Sequence, residues 1–170
     1  MEAEKQAAAQ LSSIIEMVAA AECDFDRLTE LREEREDLED DAEALAAWDA
    51  ENGAELADLT AAAGECADAD EARERLQEDP LSVEVRSGWA NVGEDLEPAE
   101  FCVLLCTGGP AVRIVGDLDR GQPSRPRLEY QDWGTPWTEY FPPADGPDAM
   151  TVSGMRAALQ SYCEALYFGE

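Results

Sequence analysis

Proline divides this chain. None of its nine prolines precedes Pro80, and all of them fall between there and the C-terminus. A proline inside a helix removes an N–H donor and clashes with the preceding turn, at a cost of ~3 kcal/mol. Long helices are therefore expected only over 1–79, and 80–170 must be built from short elements and turns. The expected fold class is α+β, in two domains. Residues 1–79 form an acidic helical arm, a coiled-coil-like hairpin. Residues 80–170 form a small antiparallel β-sheet with a C-terminal helix.

The arm carries a helical period. Leu11, Ile14, Val18, Ala21, Phe25, Leu28, Leu31, Arg35, Leu38, Ala42, Leu45 and Trp48 step mostly by three or four, an a/d-like stripe over roughly five heptads that Arg35 interrupts. Asn52-Gly53 is expected to stop this helix. A second helix carries Leu56, Leu59 and Ala63 and ends at Gly64. Asp68 followed by Glu71 resembles a capping box, opening a third short helix to Gln77. Such segments fold back as a hairpin or pair between two chains.

Beyond Pro80 the period changes to two. Leu81 to Arg86 alternates apolar and polar, Phe101 to Cys106 is a buried run, and Ala111 to Val115 returns after the turn Thr107-Gly108-Gly109-Pro110. Gly121 to Pro126 is expected as a loop. Arg127 to Trp133 and Trp137 to Phe141 are two further strands. Thr151 to Leu166 is an amphipathic helix, with Met155, Leu159, Tyr162 and Leu166 on one face.

Charge limits the partners. Forty Asp plus Glu oppose twelve Lys plus Arg, a net charge of -28. Residues 1–79 hold -20 of it and residues 80–170 hold -8. Nucleic-acid binding rests on Lys and Arg neutralising phosphates, so direct binding to DNA or RNA is not expected, nor is binding to an anionic membrane. A basic protein surface is the expected partner. Apolar residues make up 45%, enough for a core, and no apolar run approaches the ~20 residues that span a bilayer. The start, Met1-Glu2-Ala3-Glu4-Lys5, lacks the basic and apolar regions of a signal peptide. With five cysteines, an odd number, this points to a cytoplasmic protein with free thiols.

Catalytic residue types are scarce. There is no histidine, which removes Ser-His and Cys-His pairs and His-ligated metals. Lys5 is the only lysine, and no phosphate-binding glycine motif occurs. Cys102 and Cys106 on one strand stand ~13 Å apart at ~3.3 Å per residue, too far to share a zinc ion. They are read as core thiols, as are Cys23, Cys66 and Cys163. Asp117-Leu118-Asp119-Arg120-Gly121 lacks the later ligands of a calcium loop and is read as a strand-end turn. Forty acids make carboxylate pairs inevitable, so a pair by itself carries no signal for a hydrolase. No catalytic residue, metal or cofactor is expected, and the chain is read as non-enzymatic.

Two segments remain as binding candidates. Between Glu33 and Glu43 lie Glu33, Glu34, Glu36, Asp37, Glu39, Asp40, Asp41 and Glu43, opposed only by Arg35. On one continuous helix that is about one charge per ~2 Å, close to the ~1.7 Å of a DNA duplex. Glu33, Glu34, Glu36, Asp37, Asp40, Asp41 and Glu43 are the expected partner-binding residues. A solvated face is the plainer reading of such a run, yet like charges at i, i+4 cost ~0.2–0.5 kcal/mol each, and exposed helices usually mix in Lys. Salt adaptation would also favour acids, but it should act on both halves alike. The second segment is the aromatic group Tyr130, Trp133, Trp137, Tyr140 and Phe141, with one face in the core and the other open to a partner.

The segments Leu81 to Trp89, Thr107 to Ile114, Leu128 to Tyr140 and Tyr167-Phe168-Gly169-Glu170 resemble small proteins carried by bacteriophages and other bacterial mobile elements. The resemblance covers most of the second half and, more loosely, the arm. It carries over no catalytic residue. What it implies is context, because small acidic proteins of such elements include anti-restriction and anti-CRISPR inhibitors that mimic DNA. The expected function is then inhibition of a bacterial defence complex through its basic nucleic-acid-binding surface, in the cytoplasm of a bacterial host. The alternative is an adaptor that forms a homodimer through its helical arm.

Overall fold

The computed structural model describes residues 2–146 and 149–169. Its elements are α1 (Glu2–Ala21), α2 (Phe25–Glu36), α3 (Ala42–Ala63), α4 (Ala69–Glu78), β1 (Ser82–Ser87), β2 (Pro98–Cys106), β3 (Ala111–Asp119), β4 (Gln122–Gln131), β5 (Thr138–Glu139) and α5 (Val152–Glu164). Helices precede a five-stranded antiparallel sheet and one helix follows it, so the fold is α+β. Element type changes at Pro80, while the compact units divide elsewhere. One unit comprises Met1–Ile15 with Leu76–Glu170, the other Glu16–Arg75.

The arm stripe is not one helix. The chain leaves the helix after Ala21 and again after Glu36. At each break an aspartate caps the next helix. Asp24 Oδ1 accepts from the Arg27 N–H (2.9 Å), and Asp41 Oδ1 accepts from the Glu43 and Ala44 N–H groups (3.2 and 3.1 Å). An aspartate that satisfies the free N–H groups of a new helix start stabilises the break over continuation. The period survives because α2 and α3 pack against each other, so their apolar faces meet within one chain.

Asn52-Gly53 does not stop α3. The Asn52 amide donates to the Trp48 carbonyl (3.3 Å) along the helix, and both residues are half-buried. Glycine in a helix costs about 1 kcal/mol relative to alanine, less than the packing that Leu56 and Leu59 continue. The stop falls at Gly64, where a φ of 58° suits a residue without Cβ and the N–H bonds to Thr60. Asp68 opens α4 as the sequence indicates. Its carboxylate accepts from the Asp70 and Glu71 N–H groups (both 2.9 Å), and Glu71 reaches back to the Ala67 N–H (2.7 Å).

The sheet is a meander in the order β1-β2-β3-β4-β5, every pair antiparallel. Period-two alternation sends Phe101, Val103, Leu105, Val112, Ile114, Leu118, Leu128 and Tyr130 to one buried face. Met155, Leu159 and Tyr162 of α5 are fully buried, with α5 against β4, and Phe168 stacks tilted on Phe101 at 4.8 Å. Ala3, Ala7, Leu11 and Ile14 of α1 are buried at helical spacing in the same unit. The Tyr162 hydroxyl donates to Asp79 Oδ2 (2.6 Å). Burial, reinforced by that bond, holds the phenol far above its ordinary pKa.

Three strand expectations need correction. Residues 121–126 are not a loop, because β4 begins at Gln122 and contains Pro123 and Pro126. Beside this stretch β4 has β3 alone as a neighbour, since β5 pairs only with Glu129 and Tyr130. Proline's missing donor is tolerated at such an open edge. The strand expected over 137–141 shrinks to Thr138–Glu139, and β4 ends at Gln131, before Trp133. Cys102 and Cys106 are not core thiols. Cys102 lies half-buried on the other face, and Cys106, beyond an irregularity in β2, is half-buried opposite Val112.

Candidate functional site

The α2–α3 hairpin combines two buried leucines with ion pairs that cross between its helices. Leu28 and Leu31 are buried, but Leu38, Leu45 and Trp48 are only half-buried. Arg27 grips Glu55 with Nε and Nη2 (3.0 and 3.1 Å), and Arg35 grips Asp49 with the same pair of nitrogens (2.9 and 3.3 Å). The Trp48 indole N–H donates to Glu34 (3.1 Å). These forked bonds cross from one helix to the other. The hydrogen bond from Arg27 holds the Glu55 carboxyl below its ordinary pKa.

The acidic run sits at the tip of this hairpin. All seven expected partner-binding residues are exposed. Glu33, Glu34 and Glu36 end α2, Asp37 is its C-cap, Asp40 is in the turn, Asp41 caps α3, and Glu43 lies in the first turn of α3. The continuous charged helix of the sequence reading is thus corrected to a knob. The backbone reverses over residues 37–41, so the charges gather around a turn and do not form a straight row spaced like phosphates. Two of the seven have structural work. Glu34 accepts from Trp48 and lies 3.9 Å from Arg27, and Asp41 is the cap. Glu33, Glu36, Asp37, Asp40 and Glu43 remain as exposed charge, with Glu39 beside them.

Their placement works against the helix. The carbonyl end of a helix carries about half a negative charge, and an acid there loses ~0.3–1 kcal/mol that a base would gain. Glu33 and Glu36 occupy that end of α2, and Arg35, the one base of the last turn, is turned onto Asp49. A cation arriving at the tip would relieve both the carbonyl end and the crowded carboxylates.

The aromatic candidates separate. Tyr130 and Tyr140 are buried and meet edge to face at 6.5 Å, so they belong to the core. Trp137 is half-buried, with the Arg113 guanidinium 4.0 Å from its ring centroid. Trp133 is 83% exposed and Phe141 55%. The five aromatic residues therefore make no common contact surface.

The second face of the sheet escaped the sequence reading. It holds a depression of about 360 Å³, lined among others by Glu84, Arg86, Glu100, Arg113, Asp117, Arg127 and Glu129. Three of its carboxylates are tied to arginines across strands: Glu100 to Arg86, Glu129 to Arg113 (2.8 Å) and Asp117 to Arg125 (2.7 Å). Arg86 holds Glu100 below the ordinary range. A hydrolase with two carboxylates needs one kept protonated, and the bond from Arg86 favours the charged form of Glu100. The alternate polar positions of β1 to β4 were the available signal. Among the described residues no group of three His, Cys, Asp or Glu could hold a metal ion.

Burial disfavours the thiolate at four of the five cysteines. All five cysteines are free. Burial pushes Cys163 up to about 12, and burial also raises Cys23, Cys102 and Cys106. No described helix is long and apolar enough to cross a membrane. Compared with family models, curated proteins and solved structures, the chain matches none of them.

Proposed function

We propose that the hairpin tip is a docking element, and that the chain is a non-enzymatic inhibitor of a bacterial nucleic-acid-binding defence complex. Glu33, Glu36, Asp37, Asp40 and Glu43 would enter a Lys/Arg-rich groove built for phosphates and compete with DNA. The observation that carries this reading is a knob of exposed acids on a hairpin fastened from within, at a helix end where acid is unfavourable. The defence complex comes from the resemblance to proteins of mobile elements. Anti-CRISPR inhibition is the form of it proposed here. Opposite charge would steer the encounter and raise the on-rate.

The test is capture from a bacterial host lysate, then measured affinity for the captured protein and competition with its DNA. The variant Glu33→Gln, Glu36→Gln, Asp37→Asn, Asp40→Asn leaves Glu34 and Asp41 in place to hold the hairpin. Its affinity should fall at least roughly tenfold, and wild-type affinity should fall as salt shortens the ~10 Å Debye length. Equal affinity for the variant, flat against salt, would reduce the acidic knob to a solvated surface.

A further inference from the structure

The sheet has two unlike edges. One is β5, only two residues long, and a short edge strand is a common guard against foreign pairing. The other is β1, six residues that, among the described residues, pair with β2 alone. In an antiparallel strand each residue turns its N–H and C=O to the same side, and alternate residues turn to opposite sides. Half the backbone groups of β1 therefore point away from the sheet. The strand carries no proline or lysine to block an incoming chain.

Its side chains are also unfinished. Val83 and Val85 lie beside Val103 and Phe101 on the core side of the sheet. Val103 and Phe101 are buried, yet Val83 is 37% and Val85 42% exposed. Leu81 just before the strand is 60% exposed, and Trp89 just after it is fully exposed. The apolar face thus continues past its helical cover. On the opposite face β1 carries one acid, Glu84, and one base, Arg86.

We propose that a second copy of this chain pairs with β1, edge to edge and antiparallel, about a two-fold axis at Val85. That register sets Glu84 against Arg86 of the second copy, and by symmetry Arg86 against Glu84. Val85 meets Val85, so the half-exposed valines of both copies cover each other on the same side. Centring on Glu84 or on Arg86 instead would oppose two like charges directly, which destabilises a cross-strand pair. Self-complementarity of this kind is what an isologous two-fold contact requires, and a foreign strand would have no reason to match it. The surface is separate from the hairpin tip, and the inference does not rest on the function proposed for that tip.

Charge reversal tests it on the full chain by light scattering and sedimentation. Wild type at micromolar concentration should show about twice the 18.5 kDa of one chain. Glu84→Arg and Arg86→Glu should each weaken association at least roughly tenfold, because like charges then face each other. An equimolar mixture of the two variants should recover the dimer, since each reversed charge then meets its opposite. Hydrogen exchange at β2 to β4 reports that each variant is folded. Glu84→Arg keeps the Arg86–Glu100 pair, so it stands as the decisive variant if Arg86→Glu unfolds. A wild type of single-chain mass, single variants that stay dimeric, or a mixture of folded variants that stays monomeric would each overturn the proposal.

Discussion

The helical unit and the sheet unit solve the same problem with different materials. Residues 16–75 hold 22 acids and 5 bases, a net charge of -17. The other unit is nearly twice as long and carries -11. In the sheet unit large side chains such as Ile114, Leu128, Met155 and Tyr162 are fully buried. In the helical unit the cluster joining α1 and α4 consists of Ala20, Cys66 and Ala72 with Phe25 against it. Between α2 and α3 two arginines span the gap. A sheet that buries one face can rest on apolar area, worth ~25 cal/mol per Å² and insensitive to pH. An acid-rich hairpin leans on its few bases, and their contribution depends on salt and on ionised carboxylates.

The sheet should respond most to a change of shape. Gly116 lies opposite Phe101, and a Cβ there would come within 2.6 Å of the Phe101 ring and 2.8 Å of the Ser124 carbonyl oxygen. Gly116→Ala should therefore cost ~1–3 kcal/mol, the usual range for overpacking. Urea denaturation should show a loss that is the same at low and high salt. A loss that varies with salt would break the contrast between the two units.

A smaller effect separates neighbouring acids in the hairpin. Asp41→Ala removes a cap and should cost ~0.5–2 kcal/mol. Asp40→Ala removes only repulsion and should cost nothing, gaining a few tenths of a kcal/mol. Hydrogen exchange of the first amides of α3 distinguishes them. Equal responses would mean that position in the turn does not matter.

The smallest effect is the pH response of the Arg27–Glu55 clamp. Its partners are about 33% and 47% exposed, so solvent screens the pair and its contribution is small. The folded Glu55 pKa is depressed. The contribution is therefore full above the ordinary glutamate value of ~4.3 and is lost as pH falls through the lower folded value. A carbon NMR titration of Glu55 should give a midpoint below the ordinary value, and Arg27→Gln should raise it.

How much of this was written in the sequence depends on how local each signal is. The Asp68–Glu71 box and the Gly64 stop involve residues a few positions apart, and each stands where its residues indicate. The cap at Asp41 was not legible. It lies in a run of acids any of which has the same side chain, and only the tertiary turn selects one. Arg35 looked like a flaw in an apolar stripe, but it is the clamp that meets Asp49 from the neighbouring helix. Tyr130 in the core and Trp133 in solvent follow the expected split of faces, but β4 ends at Gln131, so Trp133 lies beyond the strand.

By itself the sequence determined where helices end and strands begin, because proline's fixed φ and missing donor act on the chain wherever it goes. It also determined the sign and size of the charge, which no fold alters. Tertiary structure alone decided where that charge is presented. A helix continued past Glu36 would have drawn the acids into a line, and the reversal at residues 37–41 gathered them into a knob. The physical reason is that a turn is selected by what its two arms bury and clamp against each other. Here those are Leu28 and Leu31 on one arm and the Arg27–Glu55 and Arg35–Asp49 pairs between them. Those partners stand 14 to 28 residues apart, beyond the reach of any local pattern.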